Sequence, residues 1–327
     1  MTSAIGIDIS KDYFDVAYKR GRQIVGEERF RNNEAGFAAF GKWVKNQQDQ
    51  TDVVVMEATG VYGDDLAEWL YARDYAVSVV NPFQIKAYGQ AQLSRAKTDK
   101  ADARLIADFG CTQVLLPWKA PSPERRELRS MIRYRTSLVE LIQEERQRLE
   151  ASSSESVYGH ITTHLSHLET TKKTLEAQIK AHVQAHPPLA EVVILLTTIC
   201  GVADLTAATL VAEIDIDRFD AAKELVAFMG LNPSINQSGK RAKTATPISK
   251  MGHAHLRHAL YMPTQSAKQH NKPVRALYRR LVDDKGKHKK LATVAAMRKL
   301  VHIIYGVWKS GQPFDPDYEV RLASATT

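Results

Sequence analysis

Asp99 and Asp102 stand three residues apart in Lys97-Thr98-Asp99-Lys100-Ala101-Asp102-Ala103, where the pattern predicts the start of a helix. Two roles suit that spacing. Asp99 caps the helix with Asp102 beside the positive end of its dipole, or the two acids share one helical face as half of a divalent-cation site. A hard cation such as Mg2+ or Mn2+ takes several oxygen ligands converging on one point, so the second role needs further acids from elsewhere. Asp8 and Glu57 are the candidates, because each closes a short apolar run with the character of a buried strand, Ala4 to Asp8 and Asp52 to Met56. If those strands are neighbours, both side chains leave the same edge of the sheet, and Asp99 and Asp102 close over it. Four carboxylates brought together repel one another unless divalent cations neutralise them.

The elements that must position these acids follow in order along the chain. Tyr13 to Tyr18 alternates Phe14, Val16 and Tyr18 with polar residues, as a half-exposed strand does, and Gln23 to Phe30 suits a third strand. A helix over Asn33 to Val44 begins at an Asn cap, another covers Gly63 to Arg73, and the strand Ala76 to Val80 is closed by Asn81-Pro82. Three antiparallel strands followed by alternating helix and strand is the order of an RNase H-like α/β domain, assigned to residues 1–118. From about Pro121 the chain becomes long, charge-laced helix. Leu128, Met131, Ile132, Leu138 and Leu141, and after Ser152-Ser153-Ser154 also Ile161, Leu165, Leu168, Leu175 and Ile179, recur at helical steps. They predict a coiled-coil arm over 119–188, ending at His186-Pro187-Pro188. His160, His164 and His167 line one side of its second helix without a nearby cysteine or acidic cluster, so no metal role is assigned to them. Residues 189–327 then form a mainly helical domain.

Charge divides the 327-residue chain, which carries a formal net charge of +8. Residues 1–110 hold 14 lysines and arginines against 16 acids, whereas residues 218–310 hold 19 against 4. That concentration marks a face for a polyanion, and nucleic acid is the evident one. Within it lies Gly230-Leu231-Asn232-Pro233-Ser234-Ile235-Asn236-Gln237-Ser238-Gly239-Lys240-Arg241-Ala242-Lys243. Ser238 precedes a glycine that lets the backbone approach a ligand, among the cations Lys240, Arg241 and Lys243. It is either a turn serine in a basic loop or a hydroxyl offered to a phosphodiester. No Ser-His-Asp pattern accompanies it, and His253, His255 and His258 are expected to be structural or DNA-facing. Lys97, Lys250 and Arg257 join the expected nucleic-acid contacts, and Arg275, Arg279, Arg280 and Lys285 to Lys290 suit phosphate contacts that add affinity more than sequence choice. Only Cys111 and Cys200 occur, far apart, so a reducing compartment, the cytoplasm, is expected without disulfides. The longest aliphatic run, Val192 to Leu196, is far below membrane-spanning length, and no signal peptide is evident.

Ile5-Gly6-Ile7-Asp8, Met56-Glu57-Ala58-Thr59-Gly60 with Tyr62, Val79-Val80-Asn81-Pro82 and Lys97 to Ala103 together resemble the DEDD signature of the insertion-sequence one-ten family of transposases. These are relatives of the Piv-type DNA invertases, with an N-terminal domain resembling the RuvC resolvase. The resemblance runs from Ile5 to about Pro313 and aligns Ser238-Gly239 with the serine that the family's recombinases use as nucleophile. It implies a site-specific recombinase in which Ser238 forms a covalent phosphoserine while Asp8, Glu57, Asp99 and Asp102 bind Mg2+, which requires the two domains to meet. It further implies donor and target DNA, a bridge RNA encoded by the element, and homodimers assembling into tetramers. Thr198 to Ala203 is similar to the helix-hairpin-helix turn that begins the family's C-terminal domain. It departs from the pattern, with Cys200 where proline is usual and Ala203 in place of the second glycine, so packing rather than phosphate binding is expected there. Two rival readings remain at this point: a metal-dependent RuvC-like nuclease or junction resolvase in which water attacks, and a nucleic-acid-binding scaffold with a decayed site.

Overall fold

A computed structural model describes residues 3–47, 53–58, 60–92, 99–234, 237–238, 241–242 and 248–318. The chain forms two compact units, Met1–Pro121 and Ser122–Thr327.

The first unit is a five-stranded mixed sheet with helices on both faces. Strands β1 (Ser3–Ile9), β2 (Tyr13–Arg20) and β3 (Gln23–Arg31) form an antiparallel meander; β4 (Val53–Glu57) and β5 (Ala76–Val80) extend it in parallel, in the order β3-β2-β1-β4-β5. Helix α1 (Glu34–Gln47) starts where the Asn33 side chain accepts from Gly36 N at 3.0 Å, as its sequence predicts, and α2 (Asp64–Tyr71) precedes β5. Side chains alternate across a strand, so the odd residues Ile5, Ile7 and Ile9 of β1 pack with Phe37, Phe40, Leu66 and Leu70 from these two helices. The even residues face α4 (Asp99–Thr112), whose Ala103 and Ala107 meet Ala17 of β2.

Strand β2 is therefore buried on both faces, not half exposed as its alternation suggests. Helix α4 covers the second face with alanines, whose apolar signal is weak. The close fit depends on Gly6: a Cβ there would lie 2.2 Å from Ala107 N and 2.3 Å from Ala103 O. Gly6→Ala is expected to lower unfolding stability by about 2–3 kcal/mol in urea titrations, since backbone atoms rather than a flexible side chain must give way. A further helix, α3 (Pro82–Ala91), stands where the sequence reading found only a strand end. The Asn81 side chain accepts from Phe83 N at 2.9 Å and Pro82 fills the first helical turn, so the Asn-Pro pair begins a helix as well as closing β5.

The second unit is helical. Helices α5 (Pro123–Ala151) and α6 (Glu155–Ala185) form a hairpin around Ser152 to Ser154. They run antiparallel, because Arg146 pairs with Glu169 near the turn and Arg135 with Glu176 further from it. The buried stripe of α5 uses Leu128, Ile132, Leu138 and Ile142; Ile142 is 6% exposed where the expected Leu141 is 42% exposed. Then come α7 (Pro187–Thr197), α8 (Asp204–Glu213), α9 (Ala222–Phe228), the two-residue strands β6 (Gln237–Ser238) and β7 (Arg241–Ala242), α10 (Ala254–His270), α11 (Lys272–Arg279) and α12 (Lys289–Ser310). One apolar cluster joins the hairpin helices to α7 through α12. Helix α12 is long and apolar enough to cross a membrane by length and composition, and it buries Ala296, Leu300, Val301 and Ile304 in this core. The Thr198–Ala203 turn packs on α10. Gly201 has φ +103°, a Cβ there would lie 2.9 Å from Pro263 O, and Asn271 Nδ2 donates to Cys200 O at 3.2 Å.

Candidate active site

Strand parity places the sequence-predicted acids. Asp8 shares the even face of β1 with Gly6, and Glu57 shares a face of β4 with Val55, which packs beside Ile106 of α4. Strands β1 and β4 are parallel neighbours whose last paired residues are Ile7 and Met56, so Asp8 and Glu57 follow at adjacent strand ends on the α4 side. The first turn of α4 carries Asp99 and Asp102. All four acids thus belong to one face of one sheet edge.

Two further residues, missed by the sequence reading, complete this face. Asp15 lies opposite Asp8 in the β1–β2 register and is 4% exposed. Arg29, its partner in the β2–β3 register, donates from Nε to both Asp15 oxygens at 3.1 Å and from Nη2 to Asp15 Oδ2 at 2.7 Å. The same Nη2 reaches Asp99 Oδ2 at 3.1 Å. Ion pairs Arg104–Glu27 and Lys19–Asp108 also tie α4 to β3 and β2. The signal for Asp15 was its place directly across the hairpin from Asp8, which alternation assigned to solvent.

The electrostatics of the cluster are those of a crowded acidic site. Burial, then the neighbouring charges of Asp102, Glu57, Asp99 and Asp15, pushes the Asp8 carboxyl up to about 6. Burial and Asp102 raise Glu57 as well. The donor set, all hard carboxylate oxygens disfavouring further charge, suits a divalent cation such as Mg2+. Among the described residues no group of three acids, histidines or cysteines converges tightly enough to hold one metal ion. Part of the reason is visible at Asp99, which is engaged by Arg29.

In the second unit, the backbone of Ser238 lies in β6, paired with Arg241 of β7 as cross-strand neighbours. Lys97, Lys240 and Lys243 lie outside the described residues. Lys250 is exposed with φ +55°, and Arg257 Nη1 donates to two backbone carbonyls, Met229 O at 3.0 Å and Gly252 O at 3.1 Å. His253 caps α10 by accepting from Leu256 N; His255 is partly buried and His258 exposed. Exposed cations continue through Arg279, Arg280 and Lys285 to Lys290.

Glu213, at the end of α8, is buried beside Arg133 and His253. Arg133 Nε and Nη2 donate to its two oxygens at 2.9 and 3.1 Å, and His253 Nε2 lies 3.5 Å from Oε2. Burial opposes its ionisation, but the hydrogen bonds from His253 and Arg133 prevail and hold its carboxyl far below the usual carboxylate range. Truncating Arg133 to alanine removes both close hydrogen bonds to this buried charge and leaves it Arg129 at 3.8 Å and His253 at 3.5 Å, and a loss of about 2–3 kcal/mol in urea-unfolding stability is expected.

The comparisons with known proteins fit this geometry. A transposase model of the DEDD IS110 type matches residues 5–152, and the transposase model of the IS116/IS110/IS902 family matches residues 194–279. The first match spans all four acids of the sheet edge; the second spans Glu213, Ser238 and Arg257. The pilin gene-inverting protein of Moraxella bovis is 32% identical over 317 residues, covering 95% of this chain and 97% of that protein. Its counterpart from Moraxella lacunata is 32% identical over 314 residues, with 95% and 97% covered. With both halves matched and full-length relatives at this identity, the chain belongs to the IS116/IS110/IS902 family of transposases and is a DNA-recombining enzyme.

Proposed function

We propose that the chain is a site-specific recombinase that cuts and rejoins DNA through a covalent phosphoserine at Ser238. The observation that carries this reading is the gathering of Asp8, Glu57, Asp99 and Asp102 on one sheet edge of a transposase-family chain that also presents a serine hairpin in its basic half. Ser238 Oγ attacks a backbone phosphorus. An Oγ–P bond forms as a P–O bond to deoxyribose breaks; the seryl proton is given up to water and the departing oxygen takes up a proton, so protons balance. Religation reverses these events with a new deoxyribose hydroxyl, so phosphodiester energy is conserved and no external energy source is needed.

Asp8, Glu57, Asp99 and Asp102 would hold the divalent cation, whose chemistry there is Lewis-acid stabilisation of phosphoryl and departing oxygens. For Asp99 to contribute, Arg29 must release it, and Asp15 remains available to keep the guanidinium. The sheet order supports an RNase H-like, RuvC-like assignment for the first unit. Lys97, Lys240, Arg241, Lys243 and Lys250 supply phosphate contacts, with further exposed cations from Arg279 to Lys290 later in the basic half. Sequence choice falls to a bridge RNA, in keeping with a protein whose cations suit backbone and shape, and the working species is a homodimer assembling to a tetramer in the cytoplasm.

The rival is a metal-dependent nuclease using water, favoured by the confinement of all four acids to the first unit. Denaturing gels separate the two. Wild type with its co-purified RNA is expected to give a protein–DNA adduct in Mg2+ that both Ser238→Ala and Asp8→Asn lose. Hydrolytic nicking that survives Ser238→Ala would establish the rival.

A further inference from the structure

The loop that carries Ser238 springs from a built neck. Helix α9 ends in two nested backbone bonds, Gly230 N to Ala227 O at 2.8 Å and Leu231 N to Val226 O at 3.1 Å, with Gly230 at φ +68°. The chain leaving this cap runs antiparallel to the chain returning to α10. Ser249 N donates to Asn232 O at 2.7 Å, Lys250 N to Gly230 O at 3.2 Å and His253 N to Phe228 O at 2.8 Å, and Pro233 bridges to Ile248. The two arms touch at glycine: a Cβ on Gly252 would lie 2.4 Å from Phe228 O and 2.5 Å from Gly230 N. Between Pro233 and Ile248 lie 14 residues, Ser238 among them.

Two side-chain devices lock the arms together from beneath. Arg257 Nη1 donates to Met229 O on the outgoing arm and Gly252 O on the returning arm, stapling one to the other. Its surroundings are those of a structural cation, since burial pulls the guanidinium below its ordinary range. His253 accepts at Nδ1 from Leu256 N, which leaves its proton on Nε2, facing buried Glu213. Glu213 is in turn fixed by Arg133 of α5, so the returning arm is anchored to the helical core.

We propose that Arg257 is a positioning residue for Ser238: with Gly252 and the Glu213–His253 pair, it sets the angle and rigidity of the neck. Its effect falls on the rate of strand attack rather than on DNA affinity. This differs from the phosphate contact that its place in the basic stretch suggests, and it rests on the reading of Ser238 as nucleophile. Attack geometry is sensitive to displacements of about 1 Å, which cost on the order of 100-fold in rate. An arginine that donates to two carbonyls from one nitrogen is suited to hold such a tolerance.

The test uses full-length protein with its co-purified RNA, as wild type and as Arg257→Gln, Arg257→Lys and Ser238→Ala. Hydrogen exchange should show the Ser249, Lys250 and His253 amides losing protection in Arg257→Gln, with the α12 amides unchanged. Affinity for a generic DNA duplex, measured by fluorescence anisotropy, should stay within about twofold of wild type. Adduct formation at saturating DNA from the ends of the encoding element should fall roughly 100-fold. Arg257→Lys, which keeps a cationic nitrogen with N–H donors, should restore part of that rate. Loss of duplex affinity with an unchanged saturated adduct rate would make Arg257 a phosphate contact and overturn the proposal. Unchanged neck protection would overturn it too. Adduct formation by Ser238→Ala would remove the nucleophile reading beneath the proposal while leaving the exchange result standing.

Discussion

Ser238→Ala is expected to lower strand-joining activity by on the order of 10⁴-fold or more while leaving folding and duplex affinity nearly intact. The size follows from the role: a nucleophile contributes the bond that forms, and alanine has no oxygen to form it. Folding is spared because β6 is only a two-residue strand and Ser→Ala removes a single hydroxyl oxygen. Thermal unfolding within about 1 °C of wild type, anisotropy with duplex DNA, and quantified recombinant product check the three parts of this expectation. A residue serving only in a turn would show the reverse, with a modest stability change and little change in rate.

Asp8→Asn is expected to separate stability from activity in the opposite sense. The folded-state pKa of Asp8, about 6, lies above its ordinary 3.8, so folding favours the protonated carboxyl. That stabilisation is complete below about pH 4 and is lost as pH rises through about 6. Metal-free wild type should therefore lose stability across this window. After allowance for solvent screening of a partly exposed group, the loss is on the order of 1 kcal/mol. Asn cannot ionise, so the variant should show a flatter profile and exceed metal-free wild type by a similar amount at pH 7. Strand joining should nevertheless fall by roughly 10³-fold or more, because an oxygen ligand and its charge are gone. Mg2+ should raise the Tm of wild type at pH 7.5, less so below pH 6, and hardly at all in Asp8→Asn. Equal Mg2+ stabilisation of both proteins would remove Asp8 from the cation site.

Asp8, Glu57, Asp99 and Asp102 were legible because each signal is local. Two acids close valine- and isoleucine-rich strands, and two fall at one helix start with three-residue spacing. Asp15 and Arg29 were hidden by the same periodicity that revealed β2. Phe14, Val16 and Tyr18 outweigh Ala17, so the alternate face was assigned to water, although α4 buries it through Gly6, Ala17, Ala103 and Ala107. The α5–α6 hairpin shows a smaller version of this problem: Leu141 and Ile142 compete for one stripe, and only the partner helix decides between them. Helix α3 was masked because Asn-Pro both ends a strand and starts a helix. Glu213 and Arg257 act through partners that sequence spacing does not reveal: Arg133 lies 80 positions before Glu213, and the carbonyls bound by Arg257 belong to two separate arms. In the basic half, charge composition announces nucleic acid but does not sort phosphate contacts from cations that hold the backbone in place.

The most direct measurement is mass mapping of the trapped intermediate. Full-length protein with its co-purified RNA, incubated with substrate DNA and Mg2+, would be denatured, digested with nuclease and protease, and searched for a nucleotide-bearing peptide. The phosphoserine account predicts that the nucleotide is attached at Ser238, and that the peptide is missing from Asp8→Asn reactions. A nucleotide on any other residue, or DNA ends released by water with no modified peptide, would contradict it.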